Sequence, residues 1–213
     1  MNKQVFIYFD TETTGVDPRA GHEIIQIAAK AINPATLEFY ENGEFEIVLK
    51  PQRPEKASPE AVEILGPELW SRCQKEGFEP KVGLQKFMDW INSYNNTPGK
   101  KYWGQPIMVA HNVAYDLMMM HHALLDEHKL YKNRDSLPFC SRSLDTWACF
   151  FTLYESDPEV SKYSLDSLMG ILGMKRTAST HDALEDVRLG ANAFIRFMKL
   201  YRQFKKKIKI NNE

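Results

Sequence analysis

The hydrophobic pattern of this chain switches between short continuous apolar runs and stripes of 3.6-residue period, and the switches mark out its elements. Val5 to Asp10 is an unbroken apolar run, rich in β-branched and aromatic residues, that ends on an acid; it predicts a central strand. Glu23 to Ile32 (EIIQIAAKAI) predicts a second strand and Glu38 to Leu49 a third, with Asn42-Gly43 as a turn signal inside it. Three consecutive strands on short loops predict an antiparallel meander. Pro59 to Leu65 opens a short helix capped by Ser58, and Val82 to Ile91 forms another with Leu84, Phe87, Met88 and Ile91 on one face. Ile107 to Ala110 follows Pro106 and reads as a further central strand, with a helix from about Val113 to Lys129. A second strand-to-helix transition falls near Ser143 to Phe151, and Ser164 to Leu172 is a short helix. From Asp182 to about Phe204, Ala183, Val187, Gly190, Ala191, Phe194, Ile195, Met198 and Tyr201 recur at helical spacing. Together these predict an α/β domain: a mixed sheet with helices packed against it.

Composition adds bounds. The chain has 213 residues, 43% hydrophobic and 26% charged, which suits one domain with a sizeable core. The proline-rich Lys50 to Pro59 and the Asn92 to Gly104 stretch, with its Pro98-Gly99, read as surface loops within that domain. A formal net charge of −1 provides no global field towards a polyanion, although a local basic patch or bound metals can still meet phosphates. The lysines of Lys205 to Lys209 read as a solvated helix end or a basic tail from about residue 202; a phosphate-contacting tail is the sharper alternative. Three cysteines, Cys73, Cys140 and Cys149, argue against a disulfide framework or a zinc knuckle and for a reducing compartment. No leader pattern and no run of about 18 apolar residues is present. An intracellular, cytoplasmic location (nuclear in a eukaryote) without membrane partners is expected.

Three stretches carry candidate chemistry. In FDTETTG, Asp10 ends the first strand and Glu12 lies two residues on, so both project to one face if the extended conformation continues. Neighbouring carboxylates repel and raise each other's pKa, a penalty that a divalent cation removes; oxygen ligands without cysteine suit Mg²⁺ or Mn²⁺. The plain reading of Asp-x-Glu alone is a solvated loop. In AHNVAYD, Asp116 falls on the first turn of a helix, where the helix dipole by itself favours an acid. In THDALEDVRLG, Asp186 lies on or beside the buried stripe of the last helix, where a lone carboxylate is costly. His181 precedes that helix, placed to act as a proton acceptor over converging acids.

These motifs, in this order, resemble the DEDDh branch of the DnaQ-like 3′-to-5′ exonucleases. FDTETTG matches the first motif, AHNVAYD the second, and HDALEDV the third with its His-x4-Asp spacing; SLDT and YSLDSLMGILG are further landmarks, so the likeness runs from about Val5 to Tyr201. The resemblance implies a ribonuclease H-like sheet and one exonuclease domain over residues 1–213. It implies two Mg²⁺ (or Mn²⁺) ions held by Asp10, Glu12, Asp116 and Asp186, with His181 as the base, and release of 5′-nucleoside monophosphates from a 3′ end. Thr13, Thr14, Asn112 and Tyr115 are the implied substrate contacts. The expected partners are a single-stranded DNA or RNA 3′ end and a polymerase or other replication or repair protein. The alternative is an inactive nucleic-acid-binding module on the same fold. Three departures bear on substrate preference: Leu65-Gly66 where many relatives carry His-Gly, and the long segments Leu130 to Arg142 and Asn92 to Gly104. His121, His122 and His128 read as helix-face residues rather than metal ligands, Asp145 and Asp166 as helix caps, and Arg176 as either a surface or a phosphate-facing residue.

Overall fold

The computed structural model describes residues 4–96, 104–177 and 180–210, without the side chains of residues 206 and 208–210. The strands are β1 (Phe6–Thr13), β2 (Ile24–Ile32), β3 (Phe39–Val48), β4 (Ile107–Ala110) and β5 (Ser143–Asp145). The helices are α1 (Pro59–Glu76), α2 (Pro80–Asn92), α3 (Val113–His121), α4 (Thr146–Tyr154), α5 (Leu165–Ile171) and α6 (Ala183–Ile210). The sheet order is β3-β2-β1-β4-β5, antiparallel through the meander and parallel from β1 to β4 to β5. This is the expected mixed sheet flanked by helices.

β1 is central, and its pleat sends side chains into two cores. Val5, Ile7 and Phe9 join residues of α2 and α3 in one. Phe6 and Tyr8 join Val187, Ala191 and Phe194 of α6 in the other, with the Phe6 and Phe194 rings edge to face at 5.3 Å. Asp10 and Glu12 share the parity of Phe6 and Tyr8, so the α6 side of β1 is apolar in its first half and acidic in its second. All four residues assigned to the α2 face are buried.

Several elements depart from expectation. Asn42-Gly43 makes no hairpin: β3 runs through it, paired to β2 on both sides, and the left-handed Asn42 (φ 55°) is absorbed where the register shifts. α1 does not stop at Leu65 but bends at Gly66 and continues to Glu76, burying Leu69 and Cys73 against Ile25 and Val48. The helix expected to reach Lys129 passes after His121 into a π-helical turn over His122–Glu127, which keeps both Ala123 and Leu124 in the core, and Lys129 (φ 50°) ends it. The segment after residue 202 continues α6 to Ile210, with Lys205 and Lys207 exposed on it. Pro98-Gly99 lies outside the described residues. Among the described residues no helix is long and apolar enough to cross a membrane.

Candidate active site

Each acid is held by a different device. β1 stays extended through Thr13, so Asp10 and Glu12 do project to one face. β4 stops at Ala110, and beyond it the edge of β1 is met by a side chain: Asp116 Oδ1 accepts from Thr11 N at 3.0 Å and from Thr11 Oγ1 at 2.7 Å. Asp116 is thereby buried on the first turn of α3, where the dipole also favours an acid.

Asp186 is placed by the docking of α6. Asp182 caps that helix, its Oδ1 accepting from Leu184 N and Glu185 N. The fully buried Gln26 of β2 reads the same end: its Nε2 donates to Asp182 Oδ2 at 3.1 Å, and its Oε1 accepts from Ala183 N at 3.0 Å. One turn beyond Asp186, a Cβ on Gly190 would stand 2.2 Å from the Tyr8 hydroxyl, so only glycine lets α6 lie this close to β1.

His181 depends on the bend in α1. Its N–H donates to Ile64 O at 3.1 Å, and Gly66 (φ 73°, ψ 164°) occupies a region open essentially to glycine alone. A Cβ there would meet Thr180 Cγ2 at 2.7 Å. The Leu65-Gly66 pair thus holds the strand of chain that carries His181 against the cleft.

The cleft, of about 350 Å³, is lined by Asp10, Glu12, Asp116, His181 and Asp186 together. Within it Glu12, His181 and Asp186 each present an atom within 4.8 Å of the other two, and His181 Nδ1 is 3.6 Å from Asp186 Oδ2. Burial, then the charges of Asp116, Glu12 and Asp186, raises Asp10 well above the usual carboxylate range. Burial pushes Glu12 up to about 7, opposed by His181. It also pushes Asp116 up to about 7, against the two Thr11 hydrogen bonds. His181 is shifted up, chiefly by the Asp186 carboxylate beside it. Asp186 Oδ1 is buried without a hydrogen-bond partner. Buried oxygen donors short of positive charge, one of them orphaned, fit a hard divalent cation such as Mg²⁺ or Mn²⁺.

The implied substrate contacts divide. Thr13 and Tyr115 line the cleft, Thr13 Oγ1 and Tyr115 Oη being 2.6 Å apart and both within reach of Gly15 O. Thr14 does not present its side chain: it is fully buried, and its hydroxyl accepts from Glu23 N at 2.8 Å, locking β1's end to β2. Asn112 is exposed in a left-handed conformation, with its N–H bonded to Asp145 Oδ1. Asp145 does cap α4. Asp166 does not cap α5; Ser164 does, because its Oγ reaches Ser167 N, and Asp166 binds Arg176 instead. Arg176 is neither a surface residue nor free, since its Nη2 donates to Asp186 Oδ2. His121 stacks on Phe139 and His122 pairs with Asp126.

Other cleft residues carried no local signal. His111 lines the cleft, and its Nε2 lies 2.9 Å from Tyr163 O, which can only accept. Val16 and Ile64 line it too, 74% and 49% exposed, putting apolar surface at its mouth.

A family model described as an exonuclease (RNase_T) matches residues 7–194. DNA polymerase III subunit epsilon of Rickettsia conorii is 26% identical over 200 residues, a match covering 90% of this chain and 73% of that one. The PolC-type DNA polymerase III of Thermotoga petrophila is 28% identical over 200 residues, 93% of this chain but 12% of the much longer relative. Of solved structures, cell-death related nuclease 4 superposes with a TM-score of 0.73 at 15% identity, over 93% of this chain and 65% of that one. The nuclease domain of 3'hExo, a DEDDh family member bound to rAMP, does so at 0.66 and 19%, over 92% of each chain.

Proposed function

The chain belongs to the exonuclease family, and from that premise we propose that it is of the DEDDh branch and hydrolyses single-stranded DNA or RNA from the 3′ end, releasing 5′-nucleoside monophosphates. The observation that carries this reading is the convergence of Glu12, His181 and Asp186 to within 4.8 Å in one cleft with Asp10 and Asp116. Asp10, Glu12, Asp116 and Asp186 would hold two divalent cations, which when bound supply a more acidic attacking water and charge stabilisation at the leaving oxygen.

The protein's own residues do the rest. His181, 41% exposed at the cleft, is the group that takes the proton from the attacking water. Asp186 beside it stabilises the imidazolium that forms. The water oxygen bonds to phosphorus, the bond to the 3′ oxygen of the penultimate nucleotide breaks, and the 5′-monophosphate leaves. Tyr115, fixed by Thr13 and Gly15, and the exposed Val16 and Ile64 offer flat apolar surface to an unpaired terminal base. A base that is already unpaired reaches this surface without the cost of unpairing, which favours a single-stranded end. One relative is a DNA polymerase III subunit by name and another a PolC-type DNA polymerase III, which supports a polymerase as a partner.

A time course on matched 3′-labelled and 5′-labelled single-stranded DNA and RNA, with Mg²⁺ or EDTA, tests polarity, sugar and metal dependence together. Stepwise shortening from the 3′ end with mononucleotide release is expected, abolished by EDTA and by Asp10→Ala. Near-wild-type turnover by folded Asp10→Ala overturns the site; binding without shortening in Mg²⁺ or Mn²⁺ supports an inactive binding module instead.

A further inference from the structure

Arg176 is a cation built into the acid cluster. Its Nη2 donates to Asp186 Oδ2 at 2.8 Å and its Nε to Asp166 Oδ1 at 3.0 Å. The side chain is only 10% exposed, and Nη1 is buried without a partner, as is Asp186 Oδ1. The two anchors are unlike. Asp166 sits in solvent on the first turn of α5, whereas Asp186 is buried among three further carboxylates. An exposed pair is worth little and survives rearrangement at small cost, while a buried carboxylate without a cation is expensive. Asp186 is also one of the three residues whose ligand atoms lie within 4.8 Å of one another. The guanidinium and a divalent cation therefore compete for the same carboxylate.

We propose that Arg176 is a tethered counter-ion: with no divalent cation bound it neutralises Asp186, and cation loading displaces it from Asp186 while Asp166 keeps its Nε at the cleft wall. The inference rests on the reading of Asp186 as a metal ligand. It makes Arg176 a positioning residue that sets how tightly the site binds cations. A site blocked nine-tenths of the time binds about tenfold more weakly than an open one. Displacement also leaves both Nη groups without the carboxylate, in the fork geometry that suits a phosphate.

The test is calorimetric titration of the EDTA-stripped full chain with Mn²⁺, for wild type, Arg176→Gln, Arg176→Lys and Asp166→Ala, each with its melting temperature in EDTA and in saturating Mn²⁺. Arg176→Gln is expected to bind Mn²⁺ about tenfold more tightly and to melt below wild type in EDTA, the gap closing in Mn²⁺. Arg176→Lys keeps the charge and stays within about threefold of wild type, and so does Asp166→Ala, which removes a contact that both states keep. Equal or weaker Mn²⁺ binding by Arg176→Gln, with near-ultraviolet circular dichroism showing a folded protein, overturns the proposal alone. A wild type that binds no Mn²⁺ overturns the metal-ligand reading and the proposal with it.

Discussion

Replacing Glu12 by Gln turns the strain of the acid cluster into a measurable stability. Burial lifts Glu12 from an ordinary 4.5 to about 7. Because its folded-state pKa lies above the unfolded one, the native protein binds more protons between those values. Its contribution to stability is therefore full below pH about 4.5 and is lost as pH rises through about 7. A shift of about 2.5 units at 1.36 kcal/mol each is about 3 kcal/mol. Gln is a neutral near-isostere at every pH, so in EDTA Glu12→Gln should match wild type near pH 4.5. At pH 8 it should exceed wild type by about 3 kcal/mol, or roughly 6–12 °C in melting temperature for a chain of this length. Thermal melts across that range in EDTA measure this directly. Saturating Mn²⁺ should reverse the order, because the amide is the poorer cation ligand. A difference that does not change with pH, or a Glu12→Gln protein less stable than wild type at pH 8 in EDTA, refutes the reasoning.

Two glycines give sharper geometric tests. Gly66→Ala carries a backbone cost of about 1–3 kcal/mol at its φ and ψ and pushes a methyl into Thr180 Cγ2, so hydrolysis should fall further than stability; Thr180→Ser in the same chain removes that methyl and should restore part of the rate in the oligonucleotide assay. Gly190→Ala drives a methyl into the Tyr8 ring, and overpacking of about 1–3 kcal/mol should appear in urea melts together with weaker Mn²⁺ binding, as α6 lifts Asp186 away.

Strands and the α6 stripe were legible because their signal is local and repeated. The run Val5–Phe9 and the period from Ala183 to Tyr201 each repeat one rule many times, and the structure builds β1 and α6 there. The nearness of Asp10, Glu12, Asp116, His181 and Asp186 could be argued too, since the first two alternate along the central strand and the others sit in, or just before, the first turn of a helix whose place beside the sheet can be argued. What stayed hidden depends on one contact between distant segments. The bend at Gly66 exists for Thr180, and neither stretch alone announces it. Thr14 reads like Thr13, yet the pleat and Glu23 N take it inward. Arg176 reads as either a surface or a phosphate-facing residue because its two partners lie ten residues away on either side, in opposite directions along the chain. Asp166 looked like a cap because Ser164, two residues before it, takes that place without changing the local composition.

The α6–β1 packing has a consequence for how this protein comes into being. β1 is synthesised before α6, and Asp186 meets Asp10 and Glu12 only when Gln26 and Tyr8 have received α6. The meander can collapse, and even pair β4, with the acid set still one member short. Recovery of hydrolysis during refolding would therefore clock the docking of α6, not the formation of the sheet. A ribosome-bound chain that has not yet released α6 would stand beside its own messenger with an incomplete site.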